Sequence, residues 1–323
     1  MLNFAALMEI IYLNRLQERC SAGVATIGVF DGVHRGHQLL IGKVVEQARQ
    51  VRKPSTVITF DRTPRQVLDP CFHPQLLTTL AEKEAIIASL GVDHLVVLPF
   101  TREMAGLSAQ AFMEQVLRDQ LNVEVLITGY DNRFGHDRAE GFEDYVRYGE
   151  QLGIQVLRGD VELMNDGQRA VSSSVIRELL AVEGRVDLMP DCLTRYYQLQ
   201  GKVMPGEHIG HQLGYPTANL ETDHPDKLIP APGAYAVWAM IDGEETPRAA
   251  MMNIGNRPTF HGNRQTLEVN ILDFEGDLYG QTVSITFVKR LREERKFDSV
   301  EALVAQLQKD KEQVIHILYK TRT

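Results

Sequence analysis

With 323 residues, 44% of them hydrophobic and 24% charged, the chain has the composition of a globular protein with one large or two ordinary domains. A net charge of −9 argues against a duplex-binding protein, which carries a basic stripe, but a local dipole or metal can still favour anionic small molecules. Three scattered cysteines, Cys20, Cys71 and Cys192, speak against a disulfide framework and a zinc site and fit a reducing cytoplasm. No stretch is long and apolar enough to span a membrane, and MLNFAALM lacks the basic start of a signal peptide. Neither a nucleic-acid nor a membrane partner is therefore expected.

The β-branched apolar run 24–30 predicts a buried strand, and Leu39, Leu40, Val44, Val45 and Ala48 recur beyond it at helical spacing. Between them lies FDGVHRGH, residues 30–37, with Gly32 and Gly36 punctuating the change and His34 and His37 three residues apart. A strand, a glycine-bearing turn and a helix start make an anion site, because unpaired N–H groups and the helix dipole converge there. Two imidazoles at that point can donate to phosphate oxygens during attack on an α-phosphate, which is electrostatic stabilisation. The glycines lack the G-x-G-x-x-G spacing of a dinucleotide site. A metal site of Asp31, His34 and His37 has no further cluster to complete it, and two solvated loop histidines remain an alternative on this motif alone.

Strand patterns follow at 55–60, 94–100, 123–129 and 154–159. Helix patterns lie between them at 81–91, closed by Gly91, at 108–121 with Ser108 as N-cap, and at 142–153. This alternation predicts a doubly wound parallel sheet with sites at the C-terminal strand ends. VSSSVIRELL, 171–180, then opens a helix with Ser172, Ser173, Ser174 and Arg177. Hydroxyls, N–H groups and a guanidinium there form a second phosphate grip, whereas an ordinary N-cap accounts for only one serine.

DLMPDCLTR, 187–195, reads as a linker. Beyond it, short strands broken by Gly and Pro (YYQLQGKV, GAYAVWAMI, AAMMNI, TLEVNIL, TVSITFV) predict a small β-barrel. A terminal helix follows, capped by Asp298 or Ser299, with Glu301 in its first turn and Val300, Leu303, Val304 and Leu307 as its apolar stripe. The pattern thus changes near 184–195, dividing the chain into two domains. GHQLGYPTANL, 210–220, contains no Walker motif. Thr217 and Asn219 would share one side of an extended segment, and their oxygens suit Mg²⁺, although P-T-A-N also reads as a turn. In TLEVNIL, Leu267, Val269 and Ile271 fill the barrel and Glu268 faces the other way, as an exposed strand glutamate would.

Taken together, GVFDGVHRGH, TFDRTP (59–64), GYDNRFG (129–135), VSSSVIR, PTAN, NIGNRPTF, ILDFEGDLYG and LREERKF resemble the bifunctional prokaryotic FAD synthetases, in which riboflavin kinase is joined to FMN adenylyltransferase. The resemblance runs from about residue 12 to 318. It implies a barrel domain, 186–323, that phosphorylates riboflavin to FMN, and an α/β domain, 12–185, that joins FMN to AMP from a second ATP, releasing pyrophosphate. It implies ATP contacts at Gly28, Phe30, Asp31, Gly32, His34, Gly36, His37, Ser172, Ser173, Ser174 and Arg177 in the first domain, with His34 and His37 catalytic. In the second it implies ATP contacts at Gly210, Pro216 and Thr217, Mg²⁺ on Thr217 and Asn219, and Glu268 as general base. Flavin contacts are implied at Phe60, Pro64, Asp131, Arg133 and Phe134.

The chain departs from the family pattern at several positions. Asn132 stands for an aromatic, Asp61, Arg62 and Thr63 for a glutamate and prolines, His211 for Arg and Asn270 for His. Nucleotidyltransferases for phosphopantetheine or nicotinate nucleotide share H-x-G-H but would lack the P-T-A-N barrel. A regulator with dead sites is opposed by the intact His34, His37, Thr217, Asn219 and Glu268.

Overall fold

The computed structural model describes residues 8–13, 20–69, 71–130, 132–136, 139–164, 167, 169–205, 214–259 and 262–320. It divides into two compact units, Met1–Ser173 and Ser174–Thr323.

The first unit carries six parallel strands: β1 (Glu9–Tyr12), β2 (Gly23–Ile27), β3 (Ser55–Phe60), β4 (His94–Leu98), β5 (Val123–Thr128) and β6 (Gln155–Arg158), in the order β1-β4-β3-β2-β5-β6. The expected parallel sheet is therefore present. One strand escaped the sequence reading: β1 is four residues long, lies at the sheet edge and is mostly exposed, so it lacks the apolar signature of a buried strand. The inner strands read as nearly unbroken apolar runs because both faces are covered. Val24, Val57, Leu95 and Val125 face helix α1 (Arg35–Val51), which buries Leu40, Ile41, Val44, Val45 and Ala48. Ala25, Ile27, Ile58, Val96 and Leu126 face the other way, onto Phe112, Met113, Leu117 and Tyr145. The segment read as one helix over 108–121 starts as an α-turn, Ala109–Phe112, capped by Ser108, and continues as a π-helix, Met113–Arg118. Strand order reverses at β2, whose neighbours are β3 on one side and β5 on the other, so a crevice is expected beyond the C-terminal ends of β2 and β5.

The second unit has the strands β7 (Gln198–Met204), β8 (Ala218–Thr222), β9 (Gly233–Ile241), β10 (Arg248–Thr259), β11 (Gly262–Ile271) and β12 (Thr282–Glu293). They close into an antiparallel barrel in the order β10-β11-β8-β7-β12-β9. In β7, exposed Gln198, Gln200 and Lys202 alternate with buried Leu199, Gly201 and Val203, the period-2 pattern of a strand with one face in a core. Phe287 of β12 meets the Tyr235 ring edge-on at 5.3 Å, and both are fully buried. The segment expected as a linker is structured instead. Helix Met189–Leu193 buries Met189, Cys192 and Leu193, because apolar residues three and four apart share one face.

The terminal helix Val300–Lys320 is present, with its Ala302 N–H donating to the Ser299 hydroxyl. Of the expected stripe, Leu303, Val304 and Leu307 are half-buried and Val300 is exposed. The fully buried apolar contact comes later in the helix, where Val314 and Leu318 pack against Ala236, Ala249 and Met251. A polar anchor holds the middle of the helix: buried Asp310 accepts from Arg292 of β12, N···O 2.9 Å. Removing one partner of a buried pair leaves the other charge uncompensated. Asp310→Ala should therefore lower the unfolding free energy of the barrel by roughly 3 kcal/mol, read by urea denaturation.

Candidate active sites

In the first unit, the segment between β2 and α1 runs through the left-handed region, with Phe30 at φ +50°, Gly32 at +82° and Val33 at +39°. Non-glycine residues accept this only where the surroundings enforce it. The enforcing group is the Asp31 carboxylate, buried and accepting from the N–H of Leu77 (3.0 Å) and of Thr78 (3.1 Å). The Gly32 N–H donates to the Thr78 hydroxyl at 2.9 Å. Asp31, expected among ATP contacts, thus spends its oxygens inside the protein.

His34 is the N-cap of α1, its Nδ1 accepting from the His37 N–H at 3.3 Å. The two rings stack with centroids 3.5 Å apart, and Phe30 meets His37 edge-on. Burial pulls His34 down to about 4. Burial, then the neighbouring His34 and Lys83, hold His37 well below the ordinary imidazole value. Both are neutral at pH 7. Because Nδ1 of His34 is an acceptor, its single proton sits on Nε2. His37 Nδ1 is buried without a hydrogen-bond partner. A side chain on Gly36 would meet the His34 ring at 3.3 Å, so glycine there permits the close stacking.

The serine-rich segment meets this loop at one point: the Ser173 hydroxyl donates to the Asp31 carbonyl at 2.8 Å. Ser172 is half-buried beside it in sequence. Ser174 and Arg177 lie past the division between the units.

Four of the five expected flavin residues come together. Phe60, Pro64, Arg133 and Phe134 line one cavity of about 260 Å³ with Gly28, Phe100, Met104 and Phe112. Gly28, expected to touch ATP, thus lies in its wall. Asp131 lies outside the described residues. Two of the three departures in TFDRTP have local reasons: Asp61 accepts from the Phe100 N–H, and Thr63 caps helix α2 (Pro64–Leu68) through a capping box with Gln66. Asn132 donates to the Ile27 carbonyl at 2.6 Å, clasping the segment after β5 to the end of β2. Tyr145 was not singled out from sequence. It is fully buried, stacks on Phe134 and accepts that residue's N–H at 3.0 Å. Lys83, on helix α3 (Leu80–Ala88), was also missed. Its signal was its place three residues after Leu80 and four before Ile87, on the buried stripe.

In the barrel, Glu268 of β11 stands opposite Asn219 of β8 and opposite Asn253 of β10. Directly paired residues project to the same sheet face, so one carboxylate and two amides share it. Leu267, Val269 and Ile271 are buried, as the alternation predicted. Thr217 is exposed and precedes β8 by one residue. Asn270, buried, donates to the Pro216 carbonyl at 2.7 Å, and the Tyr215 hydroxyl donates to Gln308 of the terminal helix at 3.0 Å. The start of P-T-A-N is therefore tied down by two contacts. Gly210 and His211 lie outside the described residues. Among the described residues no group of three or more His, Cys, Asp and Glu could hold a metal, which leaves the metal reading of Asp31, His34 and His37 without support.

Comparison with known proteins follows the same division. The FAD synthetase family matches residues 16–175 and the riboflavin kinase family residues 193–318. The bifunctional riboflavin kinase/FMN adenylyltransferase of Pseudomonas fluorescens is 39% identical over 300 residues, covering 92% of this chain and 94% of that protein. That of Bacillus subtilis (strain 168) is 33% identical over 311 residues, covering 95% and 96%. A crystal structure described as a macrolide-efflux protein from Streptococcus pneumoniae aligns with a TM-score of 0.84 and 32% identity, over 94% of this chain and 98% of that one. No helix among the described residues here is long and apolar enough to cross a membrane. With both family regions present in one chain and relatives of a single kind matching along nearly its whole length, the protein belongs to the bifunctional riboflavin kinase/FMN adenylyltransferases.

Proposed function

We propose that the barrel unit phosphorylates riboflavin to FMN with ATP and that the α/β unit adenylylates FMN with a second ATP, giving FAD and pyrophosphate. The observation that carries the reading is the meeting of two constellations with the matched family regions: the His34–His37 stack at the start of α1 in one, and Glu268 facing Asn219 in the other. The functional division is drawn at 12–185 and 186–323, and the enzyme is assigned to the cytoplasm, which its free cysteines suit. Its partners are riboflavin, FMN and ATP, with no role for nucleic acid or membrane.

In the kinase, the Glu268 carboxylate orients the ribityl 5′-hydroxyl and takes its proton as the oxygen attacks the ATP γ-phosphorus in line. Thr217 and Asn219 supply hard oxygen donors, opposite a carboxylate, that fit Mg²⁺ beside the ATP phosphates. The ion when bound neutralises charge on those phosphates. Pro216, held by Asn270, sets where Thr217 points.

In the adenylyltransferase, the aromatic cavity takes the isoalloxazine ring between Phe60, Phe134 and their neighbours. The FMN phosphate attacks the α-phosphorus of ATP, and pyrophosphate leaves. Neutral His34 and His37 each offer one N–H to the phosphates at the α1 N-terminus, where the dipole and free N–H groups add to them. Ser172 and Ser173 add hydroxyls next to the same loop.

Three outcomes test this. Glu268→Gln should nearly abolish FMN formation while leaving FAD formation from supplied FMN intact, as followed by chromatography of the flavins. Near-normal phosphorylation of riboflavin by this variant would remove Glu268 as the base. His37→Ala should do the reverse, letting FMN accumulate and cutting FAD formation by about 10²-fold. Residues 174–323 expressed alone should fold and make FMN but no FAD. A fragment starting at 186 should be less stable, because it loses the Leu180 and Glu183 carbonyls that accept from Ala231 and Arg290.

A further inference from the structure

Lys83 is the one core-facing charge of helix α3, sharing its buried stripe with Ile87. Its side chain is only 6% exposed. The ammonium donates to the Val29 carbonyl at 2.9 Å and to the Thr59 hydroxyl at 3.0 Å, and that hydroxyl donates to the same carbonyl. Among the described residues no carboxylate forms an ion pair with it. A buried lysine without a carboxylate partner is costly, and Met at this position would fill the same space without that cost. Val29 opens the segment that carries Phe30 and the histidines, and it also lines the aromatic cavity. The charge therefore lies directly behind the backbone that leads into the phosphate end of the site.

We propose that Lys83 is a positioning residue for adenylyl transfer, fixing the Val29–Phe30 peptide through its carbonyl and placing one positive charge behind the loop that faces the reacting phosphates. The geometry supplies both roles. With the Val29 carbonyl turned inward onto the ammonium, the Phe30 N–H, which has no partner among the described residues, is left for a ligand. The positive field offsets charge gathering on the phosphates as pyrophosphate departs, and it needs no movement at the moment of reaction.

This role carries a signature that packing alone would not give. Burial draws the Lys83 ammonium down to about 8, while Asp31 in the loop, Glu84 on its own helix and Asp61 after β3 oppose the shift. His37, the group facing it from α1, is neutral in this range and adds no competing step. The amine thus keeps most of its protonation at pH 7 and loses it as the pH rises through about 8, taking the field with it.

The inference rests on the adenylyltransferase reading of this unit, and one experiment separates the two. Full-length protein and the Lys83→Met and Lys83→Arg variants are assayed from pH 6.5 to 9.5 for FAD formation from FMN. Near-ultraviolet circular dichroism and the thermal unfolding of the same samples check the folding of the first unit. The wild type should lose kcat/KM for ATP on an alkaline limb near pH 8. Lys83→Met should form FAD about 10-fold or more slowly at pH 7, with that limb gone. Lys83→Arg should move the limb beyond the measured range, because a guanidinium does not titrate there. A wild-type profile flat through pH 9.5, or a Lys83→Met protein with the wild-type rate and limb, would overturn the proposal. The wild-type result stands even where a variant fails to fold. If the wild type makes no FAD at any pH, the reading of the unit falls and not merely the role of Lys83.

Discussion

The carboxylate of Asp31 is the constraint on which the first site depends. Its bonds to the Leu77 and Thr78 amides lie between Phe30 and Val33 and hold both in left-handed conformations, where an unanchored chain could leave β2 along an ordinary path. That conformation sets His34 as the N-cap of α1 and brings His37 onto it. The Ser173 hydroxyl reads the same loop from the opposite side, through the Asp31 carbonyl. One buried acid thus organises histidines, glycine and serine that would otherwise be a string of polar loop residues.

The electrostatics follow from the same burial. Imidazoles withdrawn from water stay neutral, so the pair cannot act as two fixed cations at pH 7. Positive potential at this end of the sheet has to come from the helix N-terminus, from free N–H groups and from Lys83. An overall charge of −9 is no obstacle, since these local sources lie within a few ångströms of the site and distant surface charge is screened.

The barrel solves its own problem by a different route. A closed antiparallel sheet has no edge, so its functional groups must come from one face and from the connections. Register does the first: it sets Asn219, Glu268 and Asn253 across three neighbouring strands. Side-chain ties to carbonyls and helix do the second, with Asn270 and Tyr215 anchoring the start of P-T-A-N. The Arg292–Asp310 pair fixes the terminal helix to the strand that completes the barrel wall.

Much of this was legible from sequence because it is local. Periodicity of 2 and 3.6, glycine punctuation and cap residues named the elements around His34, Ser108 and Glu268 and separated a parallel sheet from a barrel. Short, exposed β1 and the helix in 187–195 were not legible, since their structure rests on neighbours distant in sequence. The inward turn of Asp31, the reach of Lys83 beneath Val29 and the clasp of Asn132 on Ile27 were likewise decided in three dimensions. A polar side chain in a sequence carries no mark of whether it will meet water or a buried amide. Sequence by itself determined which chemistry-bearing residues the chain owns and which elements carry them. Only the tertiary structure decided which of those residues hold the protein together and which remain to face a substrate, because hydrogen-bond partners 46 to 105 residues away set that division.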